Sequence, residues 1–472
     1  MRFIGRQHEL SFLNDCYNSS KAQLVFLYGR RRVGKTETLF EFAKDKPHIF
    51  FASPEATREE QLALFSRRLF EAGSPASRYV SRFESWTDAL GEITALPTEG
   101  RTLLIIDEFP YLVKSDPSLP SVLQNLWDAA LKSENLMIVL CGSAMSYIEN
   151  ELLAEKNPLY GRATGILKME PMDYLTAAEF FPSFSATDQV LAYSVLGGIP
   201  HYLAQFEDRL SLADNIKRHV LTKGCALYSE VEFLLHQELR ETAVYNSIIQ
   251  AVALGAASLS EIASRSMVDA QKASVYLKYL IELGIIEREF SVDASLKETS
   301  KGGRGLYRMA DEFFRFWYAF VFPNKSDLEM LDMDGVYQFD VEPALTQFAA
   351  ASFEDICRSW LRSQNRQGAL PARFADIGRF WNKQVEIDAM GLSKPAGNRP
   401  KGAFKLFGEC KFGSGVVGEK VLGELDEKIA RMKFDGQIDR YLFAREGFSD
   451  DLEQRAERDA TLHLVTAAQL YR

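Results

Sequence analysis

Runs of consecutive apolar residues at 24–27, 48–52, 103–106 and 136–140 alternate with helix-length amphipathic segments, as at 59–72, where Leu62, Phe65, Leu69 and Phe70 share one face. An apolar run without polar alternation reads as a strand buried on both faces, and strands interleaved with helices predict an α/β unit with a parallel sheet. From 211 to 252 the pattern is helical throughout. Residues 258–292 then give a capped helix, a turn, a second helix and a strand; 285–290 and 306–309 would form a hairpin, the order of a winged helix-turn-helix. Further on, 345–361 reads as an amphipathic helix, followed by strands of one meander at 373–381, 384–392 and 403–412, a helix at 419–432 and a strand at YLFA. The aromatic run FFRFWYAFVF is spaced around a helix and reads as core rather than as a platform for stacking bases.

The first strand runs into GRRRVGKT, where Gly29, Gly34, Lys35 and Thr36 meet the pattern G-x-x-x-x-G-K-[ST]. Glycines let backbone N–H groups turn inward around phosphate oxygens, and the positive end of the following helix adds to the attraction. Lys35 would reach the β- and γ-phosphates and the Thr36 hydroxyl a Mg²⁺ ion, so ATP and Mg²⁺ are the expected cofactors. The strand at 103–106 ends in Asp107 and Glu108, the Walker B arrangement: Asp107 to hold Mg²⁺ through water, Glu108 to polarise the attacking water. Ser143, in CGSAMSYI, reads as a γ-phosphate sensor or as a helix N-cap, and both roles are compatible. Arg162, in NPLYGRATGIL, reads as a charge stabilising the phosphoryl transition state, in cis or from a neighbouring subunit, with a plain surface arginine as the alternative.

Taken in order over residues 1–203, FIGRQHEL, GRRRVGKT, LLIIDEF, LCGSAMS, PLYGRATG and LGGIPHYL resemble the archaeal-type ATPases, close to the STAND branch of the AAA+ relatives. The resemblance implies that Ile4, Gly5 and Arg6 flank the adenine, that Ser143 acts as the sensor, and that Pro200 contacts the base from a helical lid. From the residues alone, Gly197, Gly198 and Pro200 would be only a turn.

In the last third, Asp388 and the Glu409-x-Lys411 pair fall on adjacent strands, and alternation points Glu409 and Lys411 to one face. Two carboxylates with a lysine alongside can hold Mg²⁺ and help deprotonate an attacking water, the chemistry of phosphodiester hydrolysis. The order of helix, VEID strand, LFGECKFG strand, helix and strand resembles the PD-(D/E)xK nuclease fold, as found in the C-terminal domain of archaeal-type ATPases. That likeness implies Asp388 and Glu409 as metal ligands, Lys411 as the catalytic lysine and Glu354 as the helix acid. A salt-bridge ladder and a nuclease fold that no longer cuts are the alternatives. Basic residues that could follow a phosphate backbone are Lys394, Arg399 and Lys401 in one loop, Lys297, Lys301, Arg304 and Arg308 (against Glu298) at the wing, and Gln271, Lys272, Ser274 and Lys278 on the second helix.

With 472 residues the chain exceeds one hydrophobic core; the expected division is an ATPase core at 1–170, a helical lid at 171–240, a winged helix at 241–312 and a restriction-endonuclease-like α/β domain at 313–472. A net charge of −10 excludes global attraction to nucleic acid while leaving room for a local basic surface. Cys16, Cys141, Cys225, Cys357 and Cys410 are scattered, as in a reducing cytosol. A charged N-terminus and no apolar run of membrane length predict a cytoplasmic protein. The expected function is ATP hydrolysis coupled to a Mg²⁺-dependent, DNA-directed nuclease-like domain, with a homo-oligomer or partner protein left open. The alternatives are a nucleotide-switched interaction protein and a transcription regulator acting through the winged helix.

Overall fold

A computed structural model describes residues 2–239, 241–294, 305–395 and 402–472. The chain divides into two compact units, Met1–Met172 with Ile199–His201, and Asp173–Gly198 with Tyr202–Arg472.

The first unit is built on a parallel sheet of β1 (Gln23–Gly29), β2 (His48–Ala52), β3 (Thr102–Asp107), β4 (Leu136–Gly142) and β5 (Gly165–Met169), in the order β2-β3-β4-β1-β5. Every residue of β1 and β4 is buried, as the unbroken apolar runs predict for strands covered on both faces. Because β4 inserts between β1 and β3, the end of β4 lies between the phosphate loop and Asp107. This edge, at the carboxyl ends of the strands, is where open α/β sheets bind ligands.

The second unit opens with helices, including Ala186–Leu196. The helical stretch expected from 211 to 252 is broken into Leu212–Ile216 with its continuation Lys217–Leu221, then Glu230–Glu238 and Thr242–Ala253. Helices Leu259–Ser266 and Ala270–Glu282 follow, the first closed by a capping box of Ser258 and Glu261. They lead into an antiparallel hairpin of β6 (Ile286–Glu289) and β7 (Leu306–Met309). The aromatic run is core: Phe313, Phe314, Phe316, Trp317 and Tyr318 are buried.

Its large sheet has the order β12-β11-β10-β9-β8, with β8 (Phe374–Trp381), β9 (Glu386–Ser393) and β10 (Phe404–Lys411) antiparallel, and β11 (Gln437–Ala444) and β12 (Leu462–Thr466) parallel to β10. Parallel pairing of β10 with β11 demands a crossover, which helix Glu419–Arg431 supplies with Leu422, Leu425 and Ile429 buried. The helix carrying Glu354 runs over Glu342–Gln367, 26 residues, longer than its apolar pattern suggests. Among the described residues, no helix is long and apolar enough to cross a membrane.

Candidate nucleotide site and a carboxylate–lysine cluster

The loop after β1 turns on Gly34, at φ +91°. Gly29 is equally constrained, since a Cβ there would lie 2.5 Å from the Met169 carbonyl oxygen. Lys35 opens helix Lys35–Ala43 and is buried, its Nζ donating to the carbonyls of Gly29 at 2.9 Å and Arg30 at 3.0 Å. Burial lowers its pKa, against the pull of Cys141, Glu108 and Asp107. The Thr36 hydroxyl donates to Asp107 Oδ2 at 2.7 Å, which places an alcohol and a carboxylate oxygen side by side. Hard oxygen donors so paired, with water and phosphate oxygens to complete the shell, fit Mg²⁺.

Glu108 sits in the left-handed region at φ +53°, ahead of helix Phe109–Ser115. Its carboxylate accepts the Ser143 hydroxyl at 3.0 and 3.1 Å and the Ser143 N–H at 3.3 Å. Ser143 therefore does not cap the next helix, whose N-cap is Ala144. It bridges the end of β4 to the Walker B glutamate.

Arg6 is buried, and its guanidinium donates to the Val33 carbonyl at 2.6 Å, the Glu170 carbonyl at 2.8 Å and Glu9 at 2.8 Å. That commitment makes it a brace between the N-terminal segment and the phosphate loop, while Ile4 is half-buried and Gly5 buried beside it. Pro200 packs on the loop: a Cβ at Gly34 would lie 3.6 Å from its Cγ. Next to it His201 meets the Arg32 guanidinium through Nε2, and burial together with Arg32 pushes the His201 pKa down. Arg31 donates to the Tyr111 hydroxyl at 3.1 Å.

Arg162 stands apart from these groups. It pairs with Asp128 at 2.8 Å and precedes β5, whose first residue is level with Val25 while Gly29 is level with Met169. Four residues of strand, roughly 13 Å, thus separate its end of the sheet from the phosphate loop. A contact in cis with the loop is not made.

In the second unit, Glu409 on β10 is 3% exposed and lies at the centre of a charged cluster. Lys411, two residues along the strand, donates to Oε1 at 2.9 Å. Lys428, from helix Glu419–Arg431, reaches both oxygens, at 2.9 Å to Oε1 and 2.7 Å to Oε2. Asp388 on β9 accepts the Cys410 N–H at 2.8 Å. Arg358 donates to the Asp388 carbonyl at 2.6 Å and lies 3.5 Å from Glu354. Burial and then Asp388 raise the Glu354 pKa to about 7; burial and then Glu409 raise that of Asp388. The expected residues are thus brought together, along with Lys428 and Arg358, which sequence reasoning did not single out. They do not form the expected metal shell, and among the described residues no group of three or more His, Cys, Asp or Glu side chains is arranged to hold an ion. Mg²⁺ does not fit here as the side chains stand, because both oxygens of Glu409 are committed to ammonium groups.

Of the basic residues expected to follow DNA, Lys272 pairs with Glu241 at 3.3 Å and Lys278 with Glu282 at 3.9 Å. Gln271, Ser274 and Lys394 are exposed. Arg308 is no wing-tip cation: it pairs with the half-buried Asp355 at 2.6 Å and with Glu287 at 2.5 Å. Lys297, Glu298, Lys301, Arg304, Arg399 and Lys401 lie outside the described residues.

A family model described as "ATPase domain predominantly from Archaea" matches residues 3–206, which include all the candidate nucleotide-site residues. An uncharacterized protein of Methanocaldococcus jannaschii is 30% identical over 393 residues, 83% of this chain and 84% of that protein. The chain belongs to this family of archaeal-type ATPases. An uncharacterized ATP-binding protein of the same organism is 50% identical over 44 residues, 9% of this chain and 75% of that protein. Among solved structures, the Walker-type ATPase of Pyrococcus abyssi shares the fold, with a TM-score of 0.53 and 22% identity over 67% of this chain and 96% of that one. This archaeal-type ATPase is thus a P-loop enzyme that hydrolyses ATP. A second model, described as "Archaea bacterial proteins of unknown function", matches residues 317–423 and so takes in Glu354, Asp388, Glu409 and Lys411, but not Lys428.

Proposed function

We propose that this ATPase is a STAND-type, nucleotide-driven switch that presents a winged helix and a PD-(D/E)xK nuclease-like domain to DNA, and that the nuclease-like domain binds without cutting in the state described. The division of labour follows the sequence: ATPase core at 1–170, lid at 171–240, winged helix at 241–312, nuclease-like domain at 313–472. The observation that carries the hydrolytic half is the convergence of Lys35, Thr36, Asp107, Glu108 and Ser143 at one sheet edge. Thr36 and Asp107 would hold Mg²⁺, which would supply charge neutralisation of the β- and γ-phosphates. Lys35 exchanges the carbonyls of Gly29 and Arg30 for phosphate oxygens, while Glu108, positioned by Ser143, takes the proton of the attacking water. Ile4 and Gly5 flank the base opposite Pro200, and Arg6 holds that wall against Val33. Arg162 acts, on this reading, in trans, since its own loop is at the other end of β1.

The closed carboxylate of Glu409 favours binding over cleavage. Incubation of the full chain with plasmid and linear DNA, with Mg²⁺ or Mn²⁺ and with or without ATP, tests it. Retarded but intact DNA is expected; cut DNA would refute the binding-only reading, and absence of any retardation would refute DNA as the target.

A second reading, a switch that docks a protein, has one observation of its own. The outer face of helix Ala270–Glu282 exposes Val275 by 54% and Tyr279 by 50%, while its neighbouring lysines are paired with Glu241 and Glu282. That face suits a protein better than a phosphate backbone. If Lys278→Glu leaves DNA retardation unchanged while Tyr279→Ala abolishes a partner contact, the second reading holds for this helix.

A further inference from the structure

Lys428 makes a specific charged contact with Glu409. Its single ammonium spans both carboxylate oxygens, at 2.9 and 2.7 Å. A bidentate carboxylate presents that same edge to a divalent cation. The lysine is not a floppy surface group: its helix is fixed by Leu422, Leu425 and Ile429, all buried in the sheet's hydrophobic core. Lys411 takes the remaining direction on Oε1 at 2.9 Å.

The rest of the cluster is held by other groups. Asp388 Oδ2 accepts the Cys410 N–H at 2.8 Å, and Arg358 fills the space between Glu354 and the Asp388 carbonyl. Glu409 lies between the ammonium groups of Lys411 and Lys428, and Arg358 lies between Asp355 at 2.6 Å and Glu354 at 3.5 Å. A dication on the buried Glu409 carboxylate would stand beside two ammonium groups already seated on its oxygens, so binding it requires one of them to leave.

We infer that Lys428 is a built-in counter-cation: it occupies the metal's place on Glu409, and the cluster does not accept a divalent ion while that ammonium is present. The inference rests on the nuclease-like reading of the domain, because only that reading expects a metal there. Lys428 is accordingly a positioning residue that keeps the site in its metal-free form, and loss of its charge opens it.

The test is a titration of Mn²⁺ alone into the full chain, without nucleotide or DNA, with bound ion counted by electron paramagnetic resonance. Wild type and Asp388→Asn are expected to give superimposable curves. Lys428→Met is expected to gain a site that Asp388→Asn removes, with Mn²⁺ bound roughly tenfold or more tighter than by wild type. Lys428→Arg, which keeps the charge, is expected to behave as wild type. A wild-type site that disappears in Asp388→Asn would overturn the inference, as would a folded Lys428→Met variant that gains none. Should Lys428→Met fail to fold, Lys428→Gln, which also removes the charge, takes its place with the same expected and overturning results. No DNA enters this experiment, so failure to bind DNA would sink the function proposed above and leave the counter-cation standing.

Discussion

Two acidic sites in this chain are made of nearly the same residue types and end up with opposite electrostatics. At the nucleotide site Asp107 and Glu108 are met by hydroxyl groups, Thr36 and Ser143, while the nearby lysine spends its hydrogen bonds on the carbonyls of Gly29 and Arg30. In the second unit Glu409 is met by two ammonium groups. A hydroxyl rotates away or joins a metal shell at small cost, and it leaves the carboxylate's charge unspent. An ammonium neutralises that charge and has to be displaced. Whether an acid-and-lysine motif is ready for a cation therefore depends on where the lysine points.

The comparison can be broken most forcefully at Glu108. Glu108→Gln keeps the shape and removes the base, so kcat for phosphate release should fall by roughly 10²–10⁴-fold with ATP still bound. Turnover near wild type, measured together with nucleotide affinity, would remove Glu108 as the base. Next in size is Glu409→Gln, which strands Lys428 and Lys411 around a neutral amide. Both lysines reach solvent, so the loss in unfolding free energy is expected at about 2 kcal/mol, below the ~3–5 kcal/mol of a fully buried pair. Asp107→Asn, with hydroxyl and backbone N–H partners, should cost about 1 kcal/mol or less in denaturant unfolding. Equal losses at the two sites would erase the distinction.

A pH profile sharpens it further. Burial and Asp388 raise the Glu354 pKa from 4.5 to about 7, so the folded state holds this proton more tightly than the unfolded one. Stability then falls as pH rises from 4.5 to about 7. The Tm should be lower at pH 8 than at pH 5, and Glu354→Gln should flatten that slope; an unchanged slope would show that Glu354 is not the group responsible. The smallest effect on stability is expected at Arg162. Its pair with Asp128 is exposed, so Arg162→Ala should change stability by less than about 1 kcal/mol. If it acts in trans, ATP turnover should drop in the variant and recover when it is mixed with Lys35→Ala chains.

The placement of the candidate nucleotide-site residues was largely legible in the sequence because they sit at strand ends marked by apolar runs and glycines. The runs before Gly29 and Asp107 fixed where those residues emerge, and parallel packing brought both to one edge. Strand alternation likewise set Glu409 and Lys411 on one face. Contacts decided by tertiary docking were not legible. Lys428 lies 19 residues past Glu409, and only the apolar spacing of Leu422, Leu425 and Ile429 hinted that its helix face turns toward the sheet. Arg6 gives no sign in sequence of reaching Val33, and Arg308, grouped with a basic wing, is claimed by Asp355, 47 residues away. Two of the three arginines in GRRRVGKT likewise find Tyr111 and His201, partners that local pattern does not reveal.

The difference between the two sites is tested most directly by counting Mn²⁺ bound to the full chain with a non-hydrolysable ATP analogue present. A single ion per chain is expected, lost in Asp107→Asn and retained in Asp388→Asn. A second ion in the wild-type protein, or loss of an ion in Asp388→Asn, would contradict the claim that only the hydroxyl-lined site is open to a metal.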